Sequence, residues 1–186
     1  MGRMFKELGV LQSDEVICTS PADFTTGFAG GQAAIRTKEM LNKALGRVLF
    51  IDEAYGLNPQ RSPSAAIMQE VVDQIVQSLT DERFKGKLVV VVAGYADDIE
   101  ALMRANAGLA SRFGTTIHFP DFKGEDAAEA LRRLLRSDRM GCLELSPSAA
   151  AALPRMAEDL AATHGFANGR SVNEWANGVF AAVADR

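Results

Sequence analysis

The sequence predicts an α/β fold in which helices cover both faces of a mostly parallel sheet. Short β-branched segments alternate with amphipathic helical segments up to Pro120, which is the order that a parallel sheet requires. Two of the short segments are apolar almost throughout, as strands covered on both faces must be. Beyond Pro120 only helical patterns remain, so a small helical subdomain is expected to follow the sheet.

Four β-branched segments predict the strands of this sheet. They cover residues 15–19, 47–52, 87–93 and 115–119. The sequence between them predicts helices over residues 33–45 and 63–82, the second with Ser62 as its N-cap and Pro63 in its first turn.

The rest of the chain contains three amphipathic helical segments. They cover residues 127–135, 147–163 and 172–183. Pro154 lies inside the middle segment and is expected to kink or restart that helix. We therefore predict two domains, an α/β core over residues 1–122 and a helical subdomain over residues 123–186.

The composition of the chain limits the kinds of partner that it can bind and the cellular compartment in which we expect it. Lys and Arg number 20 against 24 Asp and Glu, and the net charge of −4 gives no global attraction to nucleic acid or anionic lipid. The longest apolar runs, such as residues 88–93, fall far short of the ~20 residues that span a bilayer, and residues 1–9 lack the apolar stretch of a secretory signal. We expect an intracellular protein that binds neither membrane nor nucleic acid.

The two cysteines have no spacing of a metal site. Cys18 and Cys142 stand alone in the sequence, so we interpret both as buried or idle thiols rather than as a disulfide or a zinc framework.

Two adjacent acids follow the second predicted strand. Ligands of open α/β sheets gather at the carboxyl ends of the strands, where Asp52 and Glu53 should lie. One division of labour suits nucleotide hydrolysis, with Asp52 engaging Mg²⁺ or its water shell and Glu53 orienting or deprotonating the attacking water. The alternative is a strand that simply ends in two solvated acids.

Four motifs together resemble a known family. They are VLFIDEAY at residues 48–55, VVVVAGYADDIEALM at 89–103, GLASRFGTTIHFPDF at 108–122 and NGRSV at 168–172. In this order and spacing the chain, from about Val10 onward, resembles the AAA+ ATPases of the red-type Rubisco activase and stage V sporulation protein K family. The resemblance implies a P-loop NTPase-like parallel sheet with a C-terminal helical lid.

The same resemblance implies a function. It points to a hexameric ring that couples hydrolysis of ATP, with Mg²⁺, to the remodelling of a protein client. It also implies a cytoplasmic location, or a plastid one in an alga. The client itself is not specified by any residue of the sequence.

The family's functional positions match three further residues besides the acids. Tyr95 stands at the sensor-one position, where the wider class has a polar Asn, and the alternative is an aromatic side chain that packs at the strand end. Arg112 matches the arginine finger that reaches a neighbouring subunit's γ-phosphate, although Ala110 replaces a second arginine common in the family; the alternative is a surface ion pair. Arg170 resembles the sensor-two arginine, which contacts the nucleotide's phosphates when the lid closes.

A glycine-rich loop after the first strand resembles the pore loop that grips a client. Within residues 23–31, Phe28 takes the aromatic position between glycines. The alternative is that Phe28 packs in the core beside Ile35.

The motif that binds the phosphates of ATP is not present in the chain. The single Gly-Lys pair, Gly86-Lys87, is followed by Leu88, and no G-x-x-x-x-G-K-[ST] sequence occurs. Without that cradle we expect little ATP binding by these residues alone. We therefore interpret the chain as part of a larger ATPase that lacks its first strand and P-loop; the alternative is a pseudo-ATPase that acts as an interaction module.

Overall fold

The chain folds into two compact units. The computed structural model describes residues 1–25, 32–141 and 143–184. Internal contacts divide the chain into Met1–Ile117 and His118–Arg186, here called the first and second units. The division predicted between residues 122 and 123 lies a few residues further along the chain. Each unit has a hydrophobic core of its own.

The first unit is built on a three-stranded parallel sheet. Its strands are β1 (Val16–Thr19), β2 (Val48–Ile51) and β3 (Val89–Val92), in the order β1-β2-β3. Val48 of β2 is in register with Val16 on one side and Val89 on the other. The predicted α/β fold with a parallel sheet is confirmed, and the continuous apolar sequence of β2 agrees with the burial of side chains on both of its faces.

Helices surround this sheet. They are α1 (Gly2–Glu7), α2 (Gln32–Lys43), α3 (Ala65–Thr80), α4 (Ala96–Ala105) and α5 (Ala107–Ala110), with 3-10 helices at Pro21–Phe24 and Ala54–Leu57. The predicted N-cap at Ser62 is wrong, because α3 begins after Ser64. The Ser62 hydroxyl accepts a hydrogen bond from the Ser64 backbone N–H at 3.1 Å, which forms a turn before the helix.

The predicted fourth strand does not form. Residues 115–119 lie outside any helix or strand, and Ile117 and Phe119 are 63% and 86% exposed. Their β-branched and aromatic composition fits a pleated strand, but a strand also needs a neighbour for its backbone groups and side chains. None of the described strands pairs with this segment. Propensity alone therefore predicted a strand that has no partner here.

The second unit is a three-helix arrangement. Its helices are α6 (Gly124–Leu135), α7 (Pro147–Ala161) and α8 (Gly169–Ala184), with a 3-10 helix at Asp138–Met140. Both α7 and α8 pack on α6 around buried Leu131 and Val172. α7 runs through Pro154 as one continuous helix, so the restart considered for this position does not occur. Pro154 is exposed, and the carbonyl deprived of its N–H partner belongs to exposed Ala150, where water can replace the lost hydrogen bond.

Two further expectations concern the cysteines and membrane-spanning segments. Cys18 is exposed on β1 and is therefore not a buried thiol, because β1 is an edge strand of the sheet; Cys142 lies outside the described residues. Among the helices in the described ranges, none is long and apolar enough to cross a membrane.

Candidate active site

The carboxyl ends of the three strands lie side by side in the first unit. The backbone N–H of Asp52 donates to the carbonyl of Thr19 at 2.8 Å, and the N–H of Ala54 donates to the carbonyl of Ala93 at 2.9 Å. The Thr19 hydroxyl also donates to the carbonyl of Phe50 at 3.1 Å. The residues that follow β2 are thus held between the ends of β1 and β3, at the edge of the sheet where ligands of α/β proteins bind.

Asp52 and Glu53 form a sharp turn at this edge. Glu53 has φ 50° and ψ 37°, a left-handed conformation that costs an L-residue roughly 1–2 kcal/mol. Its N–H donates to the Asp52 carboxylate Oδ1 at 2.9 Å, and its carbonyl accepts from the Gly56 N–H at 2.9 Å. Both acids are exposed and neither forms an ion pair with a described residue.

This turn fits a magnesium site of the kind that uses one carboxylate. Magnesium in nucleotide-binding proteins keeps several waters and takes one or two carboxylates together with the phosphates of the ligand. Asp52 has one oxygen engaged by the Glu53 N–H and the other without a hydrogen bond to any described residue. In the part of the chain that the structure describes, no three His, Cys, Asp or Glu side chains form a complete ligand set. Asp52 is therefore the candidate carboxylate for magnesium, and the carboxylate of Glu53 remains available to hydrogen-bond a water molecule.

Two tyrosines meet beside this turn. The rings of Tyr55 and Tyr95 stack with centroids 6.5 Å apart and an interplanar angle of 27°. Tyr95 is nevertheless 77% exposed, so its packing is limited to the surface. Partial burial, followed by the negative charge of Glu53, raises the pKa of Tyr55 above its ordinary value. Tyr55 was not predicted as a site residue, although it belongs to the same DEAY sequence as the two predicted acids.

An ion pair braces the start of α4 next to the tyrosines. Arg61, in the loop that follows the second 3-10 helix, pairs with Asp98 in the first turn of α4. A Cβ added at Gly94 would lie 3.2 Å from Tyr55 Cδ1 and 3.1 Å from Ile99 Cδ1, so the β3–α4 turn packs closely on the Tyr55 ring. Sequence reasoning missed Arg61 because no local pattern links it to a partner 37 positions away.

Arg112 lies just after α5 and folds back on that helix. Its Nη1 donates to the Gly108 carbonyl at 2.8 Å and to the Ser111 hydroxyl at 2.9 Å. Its Nε is buried without a hydrogen-bond partner. No described carboxylate pairs with the guanidinium, so the surface ion pair considered for Arg112 does not form among the described residues.

Arg170 is the second residue of α8, in the second unit. It is exposed and makes no side-chain hydrogen bond or ion pair with any described residue. The other residues of the NGRSV motif have structural partners: the Ser171 hydroxyl accepts from the Ala167 N–H at 2.9 Å, and Val172 is buried. Arg170 is thus the member of the motif whose side chain has no partner among the described residues. Phe28 lies outside the described residues.

These features define a class of fold, an α/β unit with a parallel sheet and paired acids at the carboxyl end of its central strand. Residues 5–121, more than half of the chain, match the family model "ATPase family associated with various cellular activities (AAA)". The chain therefore belongs to the AAA family. The proteins of this family are in general nucleotide-binding ATP hydrolases that usually use Mg²⁺ and usually assemble as oligomers.

Similar proteins refine the position within this family. The chain is 37% identical over 132 residues to the ESX-1 secretion system protein EccA1 of Mycobacterium tuberculosis, covering 70% of the chain and 22% of EccA1. It is 31% identical over 135 residues to stage V sporulation protein K of Bacillus subtilis, covering 73% of the chain and 40% of that protein. It is 32% identical over 173 residues to protein CbbX of Cereibacter sphaeroides, covering 92% of the chain and 53% of CbbX.

Two conclusions follow from these matches. The resemblance to the Rubisco activase and sporulation protein K group is confirmed, and EccA1 is a relative that the motifs did not indicate. The chain spans 22% to 53% of the length of these three relatives, so the activity and partners of a whole protein are matters for proposal.

Proposed function

We propose that this chain is the hydrolytic and lid portion of an AAA+ ATPase that remodels a protein client in a homo-oligomeric ring, a hexamer by resemblance. The observation that carries the proposal is the Asp52–Glu53 turn at the carboxyl end of the central strand, with its two exposed acids and strained backbone. Strain of this kind persists where the surrounding structure holds a functional residue in place.

Each acid has a distinct role in the proposed reaction. Asp52 uses its unbonded oxygen to hold the magnesium ion through a water molecule. Glu53 accepts a proton from the attacking water and orients its oxygen toward the γ-phosphate. The ion, when bound, neutralises charge that develops on the phosphates. Tyr95, in the sensor-one position, contributes at most through its stack with Tyr55.

Each of the two arginines supplies positive charge to a bound nucleotide. Arg112 releases its bonds to Gly108 and Ser111 and reaches the γ-phosphate bound by the neighbouring subunit. Its planar guanidinium suits the charge spread over a transferring phosphoryl group. Arg170, whose side chain has no partner among the described residues, contacts the phosphates of the nucleotide in its own subunit. Phe28 takes the role of gripping the client.

We propose further that the P-loop comes from a chain segment outside these 186 residues. They contain no G-x-x-x-x-G-K-[ST] sequence, so they supply neither the backbone cradle nor the lysine that would hold the β-phosphate. β3 is an edge strand, and residues 115–119 pair with no described strand, so an additional strand carrying the loop has backbone partners available. Partial coverage of the relatives supports the same proposal. This chain without that segment is expected to be inactive.

The experiment is Glu53→Gln in the protein that includes the upstream segment. We expect Mg-ATP to bind with ordinary affinity while hydrolysis falls at least 100-fold, since general-base catalysis contributes about 10²–10⁴. The matched control is Glu82→Gln, an exposed glutamate of the first unit, which should hydrolyse normally. Normal ATP turnover by the Glu53→Gln variant would contradict the role of Glu53 as the general base.

A subunit-mixing experiment tests the role of Arg112 across subunits. Arg112→Ala and Glu53→Gln proteins should each be inactive alone. Mixed rings contain interfaces at which a Glu53→Gln subunit supplies Arg112 to an Arg112→Ala subunit that has an intact Glu53, so activity should reappear. Absence of any recovery in rings shown to contain both proteins contradicts action in trans.

A pseudo-ATPase interaction module is the second candidate. The aromatic Tyr95 at the sensor-one position and Ala110 in place of a second arginine favour it. Binding of Mg-ATP by the protein with its upstream segment separates the two candidates. A module that forms rings with active relatives but binds no nucleotide supports the second.

A further inference from the structure

One side chain of the second unit joins two segments that are far apart in sequence. Asn168 Nδ2 donates to the Asp121 carboxylate Oδ1 at 2.8 Å, and Asn168 Oδ1 accepts from the Phe122 backbone N–H at 2.6 Å. These partners are 47 and 46 positions away. Both ends of the side-chain amide are used, so the side chain is fixed by two independent hydrogen bonds.

The backbone of Asn168 is equally constrained. Its φ is 52°, in the left-handed region, and its carbonyl accepts from the Val172 N–H at 3.1 Å in the first turn of α8. Glycine adopts this φ with least strain, and asparagine tolerates it better than most residues. Glycine has no side-chain amide and could not form the two hydrogen bonds, which explains why an asparagine occupies this position.

The segment that Asn168 holds is itself firmly attached to the second unit. Phe122 packs on the core of this unit, and the Lys123 N–H donates to Asp126 Oδ2 at 2.9 Å. A Cβ added at Gly124 would lie 2.6 Å from Cγ of Glu158 and 2.8 Å from its Cα, so the start of α6 touches the α7 backbone directly. Asn168 therefore extends a rigid α6–α7 contact to the start of α8.

We propose that Asn168 is a positioning residue for Arg170. Its amide locks the first turn of α8 to residues 121–122, where the chain has just passed from the first unit into the second. Arg170 stands two residues further on, exposed and without a side-chain partner in the described ranges, so the direction of its side chain depends on that first turn. The inference rests on the phosphate-binding role proposed for Arg170.

A charge-swapped pair of variants tests the two hydrogen bonds. Asn168→Asp keeps an acceptor for the Phe122 N–H but sets a second carboxylate against Asp121. The double variant Asn168→Asp/Asp121→Asn restores a donor opposite an acceptor with the partners reversed. In the protein with its upstream segment, we expect Asn168→Asp to weaken Mg-ADP binding and raise KM for ATP about tenfold, with kcat changed far less, and the double variant to recover most of the loss. Asn177→Asp, the same change at an exposed position of α8, should have no effect.

A double-mutant cycle with Arg170→Ala separates positioning from mere stability. If Asn168 acts through Arg170, Asn168→Asp should cost nothing further in Mg-ADP affinity once Arg170 is alanine. An equal loss in both backgrounds, or no rescue by the swapped pair, overturns the inference while the role of Arg170 stands. If Arg170→Ala alone binds nucleotide normally, the role proposed for Arg170 fails and the inference falls with it.

Discussion

Glu53 in the first unit and Asn168 in the second share an unusual backbone. Both are left-handed residues other than glycine, with φ 50° and 52°. At Glu53 the turn is held by backbone bonds and by the neighbouring Asp52, and the carboxylate of the strained residue itself is exposed. At Asn168 the strained residue uses its own side chain to hold the chain, and the exposed charge belongs to Arg170 two residues later. The same conformation thus belongs to an exposed carboxylate in one unit and to a hydrogen-bonded side chain in the other.

Glycine substitution at Glu53 gives the largest effect. Glu53→Gly relieves the strained backbone and leaves the bonds of the turn in place, so the free energy of unfolding should be unchanged or rise by up to about 1 kcal/mol. Hydrolysis by the protein with its upstream segment should still fall at least 100-fold, because no group remains to activate water. Chemical denaturation and a phosphate-release assay measure the two quantities. A stable variant with ordinary turnover would show that the turn is structural.

Gly124 tests how rigid the support beneath Asn168 is. Gly124→Ala forces a Cβ to within 2.6–2.9 Å of Glu158 atoms, two of them backbone, so α6 and α7 must separate. We expect the second unit to lose about 1–3 kcal/mol of unfolding free energy. Gly178→Ala is the control: nothing lies within 4 Å of a Cβ there, and alanine in a helix should stabilise by about 0.5–1 kcal/mol. Equal melting temperatures for the two variants would contradict the close α6–α7 contact.

Asn168→Gly should move stability in the direction opposite to Glu53→Gly. It relieves the same left-handed strain but removes two hydrogen bonds, each with a net contribution of about 1 kcal/mol. The expected result is a loss of about 1 kcal/mol, measured by denaturant unfolding against the unchanged protein. A gain in stability would mean that the amide bonds contribute less than the strain costs.

The parts predicted from sequence are those that depend on neighbours along the chain. The apolar segment at residues 48–51 predicted a strand covered on both faces, and the acids after it predicted a strand-end site. The strand predicted at residues 115–119 and the helix restart considered at Pro154 were wrong, because strand pairing and side-chain exposure are set by the rest of the fold. Asn168 was passed over as part of a motif, since its partners at 121 and 122 have no signal in local periodicity.

Substitutions in the aromatic pair beside Glu53 are expected to have the smallest effect. Tyr55 contacts Tyr95 and the tight turn at Gly94, so its ring links the ends of β2 and β3 around the strained residue. Tyr55→Phe keeps the ring and should leave stability and turnover within about twofold. Tyr55→Leu removes the stack, worth about 0.5–1.5 kcal/mol, and should lower kcat more than it raises KM for ATP. Equal kinetics for the two variants would show that the turn at Glu53 is held by its backbone hydrogen bonds alone. The left-handed residue of the first unit would then be supported only by its sequence neighbours, whereas Asn168 is held by residues far away in the sequence.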